Sequence, residues 1–144
     1  MPMNEGKILA LDWGDVRCGW ALSDASQILA SRHDVYYRDT LEADLEFFSE
    51  IIEMQEVVEV VIGMPYNMDG SIGPQAEVTL EFKAKLETHL NIPVYDIDER
   101  LTSAEAERVM LEANLSRQKR KENRDALAAS IILQTYLDKK KRQA

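Results

Sequence analysis

Two short apolar segments joined by a tight turn open the chain, and their pairing limits what the remainder can fold into. Lys7 to Trp13 (KILALDW) is mostly apolar and reads as a buried strand. Gly14-Asp15 supplies a turn, and Arg17 to Leu22 continues as a second strand with Gly19 inside it, a hairpin pattern. Ile28 to Tyr37 is a candidate third strand. Thr40 then starts a helix in which Leu41, Leu45, Phe48, Ile51 and Ile52 recur at helical spacing to about Met54. Val57 to Ile62 (VVEVVI) is rich in β-branched residues and reads as a buried strand ending at Gly63. A turn-rich stretch to Pro74 leads into a helix from about Gln75 to Leu90, with Val78, Phe82, Leu86 and Leu90 on one stripe. Ile92 to Ile97 is the last strand. Thr102-Ser103-Ala104-Glu105 matches a capping box opening a helix to Ala113. Asn114 to Lys121 reads as a polar, mobile loop, and a final helix begins at Asn123 or Arg124 and runs to about Asp138. A hairpin followed by strand–helix–strand–helix implies a mixed sheet with helices on its faces. With 144 residues and no repeat or linker, the chain is expected to be one α/β domain, residues 1–144, with a basic tail from about 138.

Acidic residues interrupt this apolar pattern at three places. Asp12 ends the first strand directly after Ala10 and Leu11; Asp98 and Glu99 end the last one; Asp125 precedes the apolar run ALAASIIL of the final helix. Parallel strands present their carboxyl ends at one sheet edge, where α/β folds place ligands. If the first and last strands run parallel, Asp12 and Glu99 meet there, and Asp125 can join them because Ala128 and Ala129 let the helix approach the sheet. Buried carboxylates repel one another and lose hydration, a conflict that a divalent cation removes. An oxygen-only donor set suits Mg²⁺ or Mn²⁺ rather than zinc, and two such ions can activate water and stabilise a leaving oxygen in phosphodiester hydrolysis. Structural roles compete with this reading. Asp12 could cap a turn, Glu99 could pair with Arg100 or Arg17, and Asp125 could cap a helix or complement its dipole. Glu105 is accounted for by its capping box. His33 and His89 lack metal-ligand spacing and read as surface residues, and Cys18 reads as a small core residue.

The overall charge of −9 argues against a nucleic-acid partner until its distribution is considered. From Leu115 onward there are nine basic residues against three acidic ones; before it, eight basic residues stand against 23 acidic. That asymmetry makes either a cationic patch on an acidic body or a solvated tail. No apolar run approaches the roughly 18–20 residues that span a bilayer. Met1 to Gly6 shows no secretory pattern, and a single cysteine excludes an internal disulfide and a cysteine-based zinc site. A cytoplasmic location is expected.

Four blocks, in order and covering nearly the whole chain, carry a resemblance: LDWGDVRCGWALSD (Leu11 to Asp24), VIGMPYNMDGSIGPQAE (Val61 to Glu77), PVYDIDERLTSAEAE (Pro93 to Glu107) and RDALAASIILQTYL (Arg124 to Leu137). Together they resemble the YqgF family, a group associated with pre-16S rRNA nuclease and Holliday junction resolvase activities. The resemblance implies an RNase H-like α/β fold, a mixed five-stranded sheet of order 3-2-1-4-5 with helices on both faces. It implies that Asp12, Glu99 and Asp125 are catalytic metal ligands, with Asp98 a further acid that could serve as a fourth. Arg17, Gly63, Pro65, Gly70, Arg100 and Thr102 also stand at family motif positions. Trp13 and Cys18 depart from the smaller or aliphatic residues expected there, and Asp15 stands where a hydroxyl residue is common.

Two surfaces could hold a substrate. The loop Gly63 to Gly73, which contains Asn67, leads to a helix N-terminus whose backbone N–H groups can bind phosphate, unless it is an ordinary connection. Arg117, Lys119, Arg120, Lys121 and Arg124 precede Asp125 and could hold a phosphate backbone, together with Arg17 and Arg100. Lys139 to Arg142 are expected to lie beyond the helix end and complement its dipole. The reading that follows is a two-metal hydrolase that cleaves phosphodiester bonds in 5′-end processing of pre-16S rRNA, acting as a monomer or weak homodimer. A Holliday junction resolvase on branched DNA is the alternative within the same chemistry. An RNA-binding ribosome-assembly factor without activity is a non-enzymatic one. The Asp12-Gly14-Gly19 pattern also resembles the first phosphate loop of actin-like ATPases, a fold that needs far more chain.

Overall fold

Strand alternation along the first segment sets the architecture. In a computed structural model, which describes residues 5–99 and 117–143 (side chains of the last helix from 124 to 141), Lys7–Trp13 forms β1. Leu9, Leu11 and Trp13 enter one core, whereas Ile8 and Ala10 enter another on the opposite face. The two-residue period therefore sends Asp12 to the second face. β1 pairs antiparallel with β2 (Arg17–Ser23), Asp12 lying opposite Gly19, and β2 pairs antiparallel with β3 (Ala30–Tyr37). α1 (Leu41–Met54) returns the chain to β4 (Val57–Met64), which runs parallel to β1. α2 (Pro74–His89) then leads to β5 (Val94–Asp98), parallel to β4 with Met64 opposite Asp98. The sheet order is β3-β2-β1-β4-β5, as the resemblance implies. Because β1 and β5 both run parallel to β4, their carboxyl ends share one edge.

The two faces are built differently. On the first, Phe48 of α1 and Phe82 and Leu86 of α2 pack against Leu11, Trp13, Trp20, Val60 and Ile62. Trp13 stacks on Phe82 with ring centroids 3.4 Å apart and planes 5° from parallel. Its large side chain thus fills a site on the face away from Asp12. On the second face one long helix, α3 (Arg117–Gln143), lays Ala129, Ile132, Leu133 and Leu137 over Ile8, Ala10, Ala21 and Val61. The strand residues here are small, so the helix lies close. A Cβ on Gly19 would collide with the main-chain carbonyl of Asp125, and one on Gly63 would meet Ile132 and the Glu99 carboxylate.

Several boundaries differ from the sequence expectations. α3 starts at Arg117, so the region up to Lys121 is not a loop throughout; arginine, lysine and glutamine are good helix formers and extend it. Asp125 is consequently well inside the helix and is not an N-cap. At the other end α3 continues to Gln143, so Lys139 to Arg142 lie within it and not beyond it. α2 buries Ala76, Thr79, Phe82 and Leu86, while Val78 is exposed, a stripe rotated from the expected one. β3 begins at Ala30 rather than Ile28, because Asp24 accepts bonds from the N–H groups of Ile28 and Leu29 and holds them in a turn. Thr40 caps α1 as expected, accepting from the Ala43 N–H at 3.1 Å. Cys18 is buried. The expected helix from Thr102 to Ala113, with Arg100, lies outside the described residues. Among the described residues no helix is long and apolar enough to cross a membrane.

Gly19 is the point where helix and sheet come closest. Gly19→Val is expected to destabilise the fold by about 3 kcal/mol, since neither main chain can yield without opening the second core. Urea unfolding measures this; an unchanged midpoint would show that α3 does not lie against β2 at this position.

Candidate active site

Asp12 and Glu99 converge at the shared carboxyl edge and are hydrogen-bonded to each other through their side chains. Strand period places Asp12 under α3. Glu99 follows β5 directly, and its N–H donates to the Met64 carbonyl at 3.2 Å, which fixes its approach over Gly63. The absence of a side chain at Gly63 is what leaves room for the Glu99 carboxylate.

Two carboxylates in this position cannot both ionise freely. Burial raises the Asp12 carboxyl most, the Asp125 charge raises it further, and the Glu99 hydrogen bond and the Arg124 charge act in the other direction. For Glu99, burial again leads, followed by the Asp12 charge, its hydrogen bond to Asp12 and the Asp98 charge, and the group is pushed up to about 8. Without a cation the pair therefore retains one proton near neutral pH. Asp125 is the third acid of the group. One of its oxygens accepts from Arg17 Nε at 2.6 Å, and both side chains are about three-quarters buried. A pair this accessible is worth about 1 kcal/mol, so it can be exchanged for another partner.

The donor set fits a hard divalent cation. All donors are oxygens, and a cation would provide the positive charge now supplied by a shared proton and by Arg17. As they stand, no group of three or more His, Cys, Asp or Glu side chains among the described residues is drawn together enough to hold a metal ion. Asp125 would have to leave Arg17 to complete the set.

A cleft of about 370 Å³ opens beside Asp12 and Asp125, lined also by Gly14, Asp15, Arg17 and Gln75 among others. Gln75 is a residue that sequence reasoning missed. It follows Pro74 in the first turn of α2, whose N-terminus has no side-chain cap at Gly73. Asn67 is exposed in the loop that leads to α2. Its amide donates to Ser71 Oγ at 3.0 Å and packs against Gly73, so it braces its own loop. Arg124 is exposed and close enough to act on Asp12. Arg117, Lys119, Arg120 and Lys121 occupy the first turns of α3, but their side chains lie outside the described residues, as does Arg100.

Arg38 is the other residue that no motif indicated. Its guanidinium donates to the carbonyls of Gly14 and Asp15 at 3.1 and 3.3 Å, and to Asp44 at 2.9 Å, while lying 4.1 Å over the Trp13 ring. Asp44 is fully buried and also accepts from Tyr36 and from the Asp39 N–H. This network ties the turn after Asp12 to the start of α1. The only sequence signal was an acid one turn into an amphipathic helix, which is ordinarily a solvated residue.

Stability should depend on pH through the carboxylate pair. Both groups titrate near 4 in an unfolded chain and higher in the folded one. Their contribution is thus complete below about pH 4 and is lost as pH rises through the folded values. In EDTA, wild-type stability is expected to fall by about 4 kcal/mol between pH 5 and 8, and the fall is expected to flatten in Glu99→Gln. Urea unfolding across that range measures it. Equal slopes in the two proteins would show that the pair does not share a proton.

Comparison with known proteins places this arrangement. Over residues 6–139 the chain matches the RuvX family, described as Holliday junction resolvase. A protein of Halothermothrix orenii named as a candidate pre-16S rRNA nuclease is 50% identical over 132 residues, 92% of this chain and 94% of that protein. One from Caldanaerobacter subterraneus subsp. tengcongensis, with the same name, is 46% identical over 136 residues, covering 94% and 98%. Among solved structures, T. thermophilus RuvC in complex with a Holliday junction substrate aligns with a TM-score of 0.60 at 11% identity, over 94% of this chain and 96% of that one. That likeness is one of fold, and it identifies the mixed sheet as the RuvC-like RNase H arrangement. Half the residues are shared with a relative of nearly equal length and the family match runs from β1 into the end of α3, so this chain belongs to the RuvX family, to which its YqgF motifs point.

Proposed function

We propose that the chain is a metal-dependent endonuclease that hydrolyses phosphodiester bonds in 5′-end processing of pre-16S rRNA, in the cytoplasm. The observation that carries this reading is the buried Asp12–Glu99 pair, hydrogen-bonded together at the sheet's carboxyl edge with both carboxyls raised by burial and by each other. Names of relatives up to 50% identical over nearly their full length support the RNA substrate.

Asp12, Glu99 and Asp125 would hold Mg²⁺ or Mn²⁺, with Asp98 at the rim. When bound, the ion or ions polarise the phosphoryl oxygens and make water nucleophilic at neutral pH. The chain's own part is to bind and orient. Arg17, once displaced from Asp125, is positioned to meet the phosphate, and Arg124 offsets the repulsion between substrate and acids. Gln75 and the uncapped start of α2 form the opposite wall of the cleft, where N–H groups favour an anion. Arg100, Arg117, Lys119, Arg120 and Lys121 would extend the cationic path N-terminal to Asp125.

The family description favours a second reading with the same chemistry, cleavage of a four-way DNA junction. Such an enzyme cuts two opposed strands and so acts as a dimer. Side-by-side cleavage of a ribosomal RNA precursor and a synthetic junction separates the two. With Mg²⁺ the precursor is expected to be cut, and Asp12→Asn to lower the rate at least a hundredfold while leaving the fold intact. Preferred cutting of the junction would establish the second reading. Equal activity in Asp12→Asn would exclude a carboxylate-metal mechanism, and no activity on either substrate would favour a binding role in ribosome assembly.

A further inference from the structure

At the far end of α3 from Asp125, a second cavity of about 350 Å³ opens between β5 and the helix. The cleft's chemistry does not account for it. Tyr95 of β5 and Tyr136 of α3 line it with their rings, whose centroids are 6.5 Å apart and whose planes meet at 28°. Surfaces in van der Waals contact stand about 3.5–4 Å apart. One further planar ring between two others needs about 7–8 Å, so the slot admits it once the exposed Tyr95 ring swings out by about 1 Å.

The two jaws of this slot differ in rigidity. The Tyr136 hydroxyl donates to Glu59, which is buried on β4, and Lys140 Nζ bonds the same carboxylate at 3.1 Å while lying 5.7 Å from the Tyr136 ring centroid. Glu59 is thereby neutralised and the Tyr136 ring is held. Tyr95 is half-exposed, a large aromatic ring left facing an open cavity. Asp96 and Lys139 complete the lining. A pair of rings beside a lysine that meets phosphate is the combination that binds a nucleotide of a single strand.

The position suits the same strand that occupies the cleft. Tyr95, Ile97 and Glu99 follow strand period, and Ile97 packs in the core under α3, so Tyr95 shares the face of Glu99. Four residues of strand separate Tyr95 from Glu99, about 13 Å at ~3.3 Å per residue. A stacked strand rises about 3.4 Å per nucleotide, so the slot lies about four nucleotides from the reacting phosphate.

We propose that this cavity is a second nucleic-acid subsite, taking one unpaired base of the RNA strand between Tyr95 and Tyr136. It rests on the reading of the chain as an RNA-cleaving enzyme, and it fixes the direction in which single-stranded substrate leaves the cleft, along α3 toward its C-terminus.

Binding of a short single-stranded RNA, read by fluorescence anisotropy in EDTA so that no cleavage is needed, tests it. Tyr95→Ala is expected to weaken binding about tenfold, and Tyr95→Phe, which keeps the ring, to bind as wild type. The same RNA with photoreactive 5-iodocytidine is expected to crosslink to the peptides that carry Tyr95 or Tyr136. Wild-type affinity in Tyr95→Ala, or crosslinks confined to other peptides, overturns the subsite alone and leaves the enzyme reading standing. Failure of the wild-type chain to bind RNA overturns both. Free cytidine monophosphate competing at the affinity of the strand would assign the slot to mononucleotides and overturn the strand reading. An unfolding midpoint equal to wild type in Tyr95→Ala keeps its effect attributable to binding.

Discussion

The close approach of α3 to the sheet is the constraint on which the site depends. Gly19, Gly63, Ala10 and Ala21 leave the second face nearly flat, and Ala128 and Ala129 do the same for the helix. Larger residues at these points would lift α3 and let water reach Asp12 and Glu99. Both would then ionise, and the pair would lose the desolvation that makes a proton or a cation necessary. The chemistry of the site is thus a product of packing: small residues exclude solvent, and exclusion concentrates unbalanced negative charge at one edge.

Around this point the molecule balances charge locally. Arg17 neutralises Asp125, Lys140 neutralises Glu59, and Arg38 neutralises Asp44, each at a different place in the fold. The exposures differ in a way that suits different roles. Asp44 is fully buried, so removing Arg38 would leave an uncompensated charge, and the pair reads as permanent. Arg17 and Asp125 both retain contact with solvent, so that pair can open when something else competes for either partner. The turn after Asp12 is held from behind by Arg38, which lets Arg17 move without disturbing Asp12.

Much of this was legible in the amino-acid sequence. The strand and helix periods are strong because both sheet faces are buried, so the order of elements and the edge position of Asp12 and Glu99 followed from apolar patterning. The YqgF motifs supplied the sheet order and the link between acids far apart in the chain. What the pattern could not supply depends on three-dimensional pairing. Whether Asp125 faces a cation or Arg17 is decided by distances no spacing encodes. Arg38 and Asp44 look like ordinary surface charges, and only their convergence on the Gly14 and Asp15 carbonyls reveals a brace. Asn67 is exposed in its glycine-rich loop and donates to Ser71, a partner that no motif indicates. The extent of α3 is hidden because its ends carry no apolar period, although lysine, arginine and glutamine favour helices.

The central claim is that a proton on the Asp12–Glu99 pair holds the place of a metal ion. Calorimetric titration of Mg²⁺ into the metal-free protein near pH 7, repeated in two buffers of different ionisation enthalpy, measures it directly. The account requires that binding release about one proton per site in the wild-type chain and none in Glu99→Gln. Binding without proton release in the wild type, or the same release in both proteins, would contradict it.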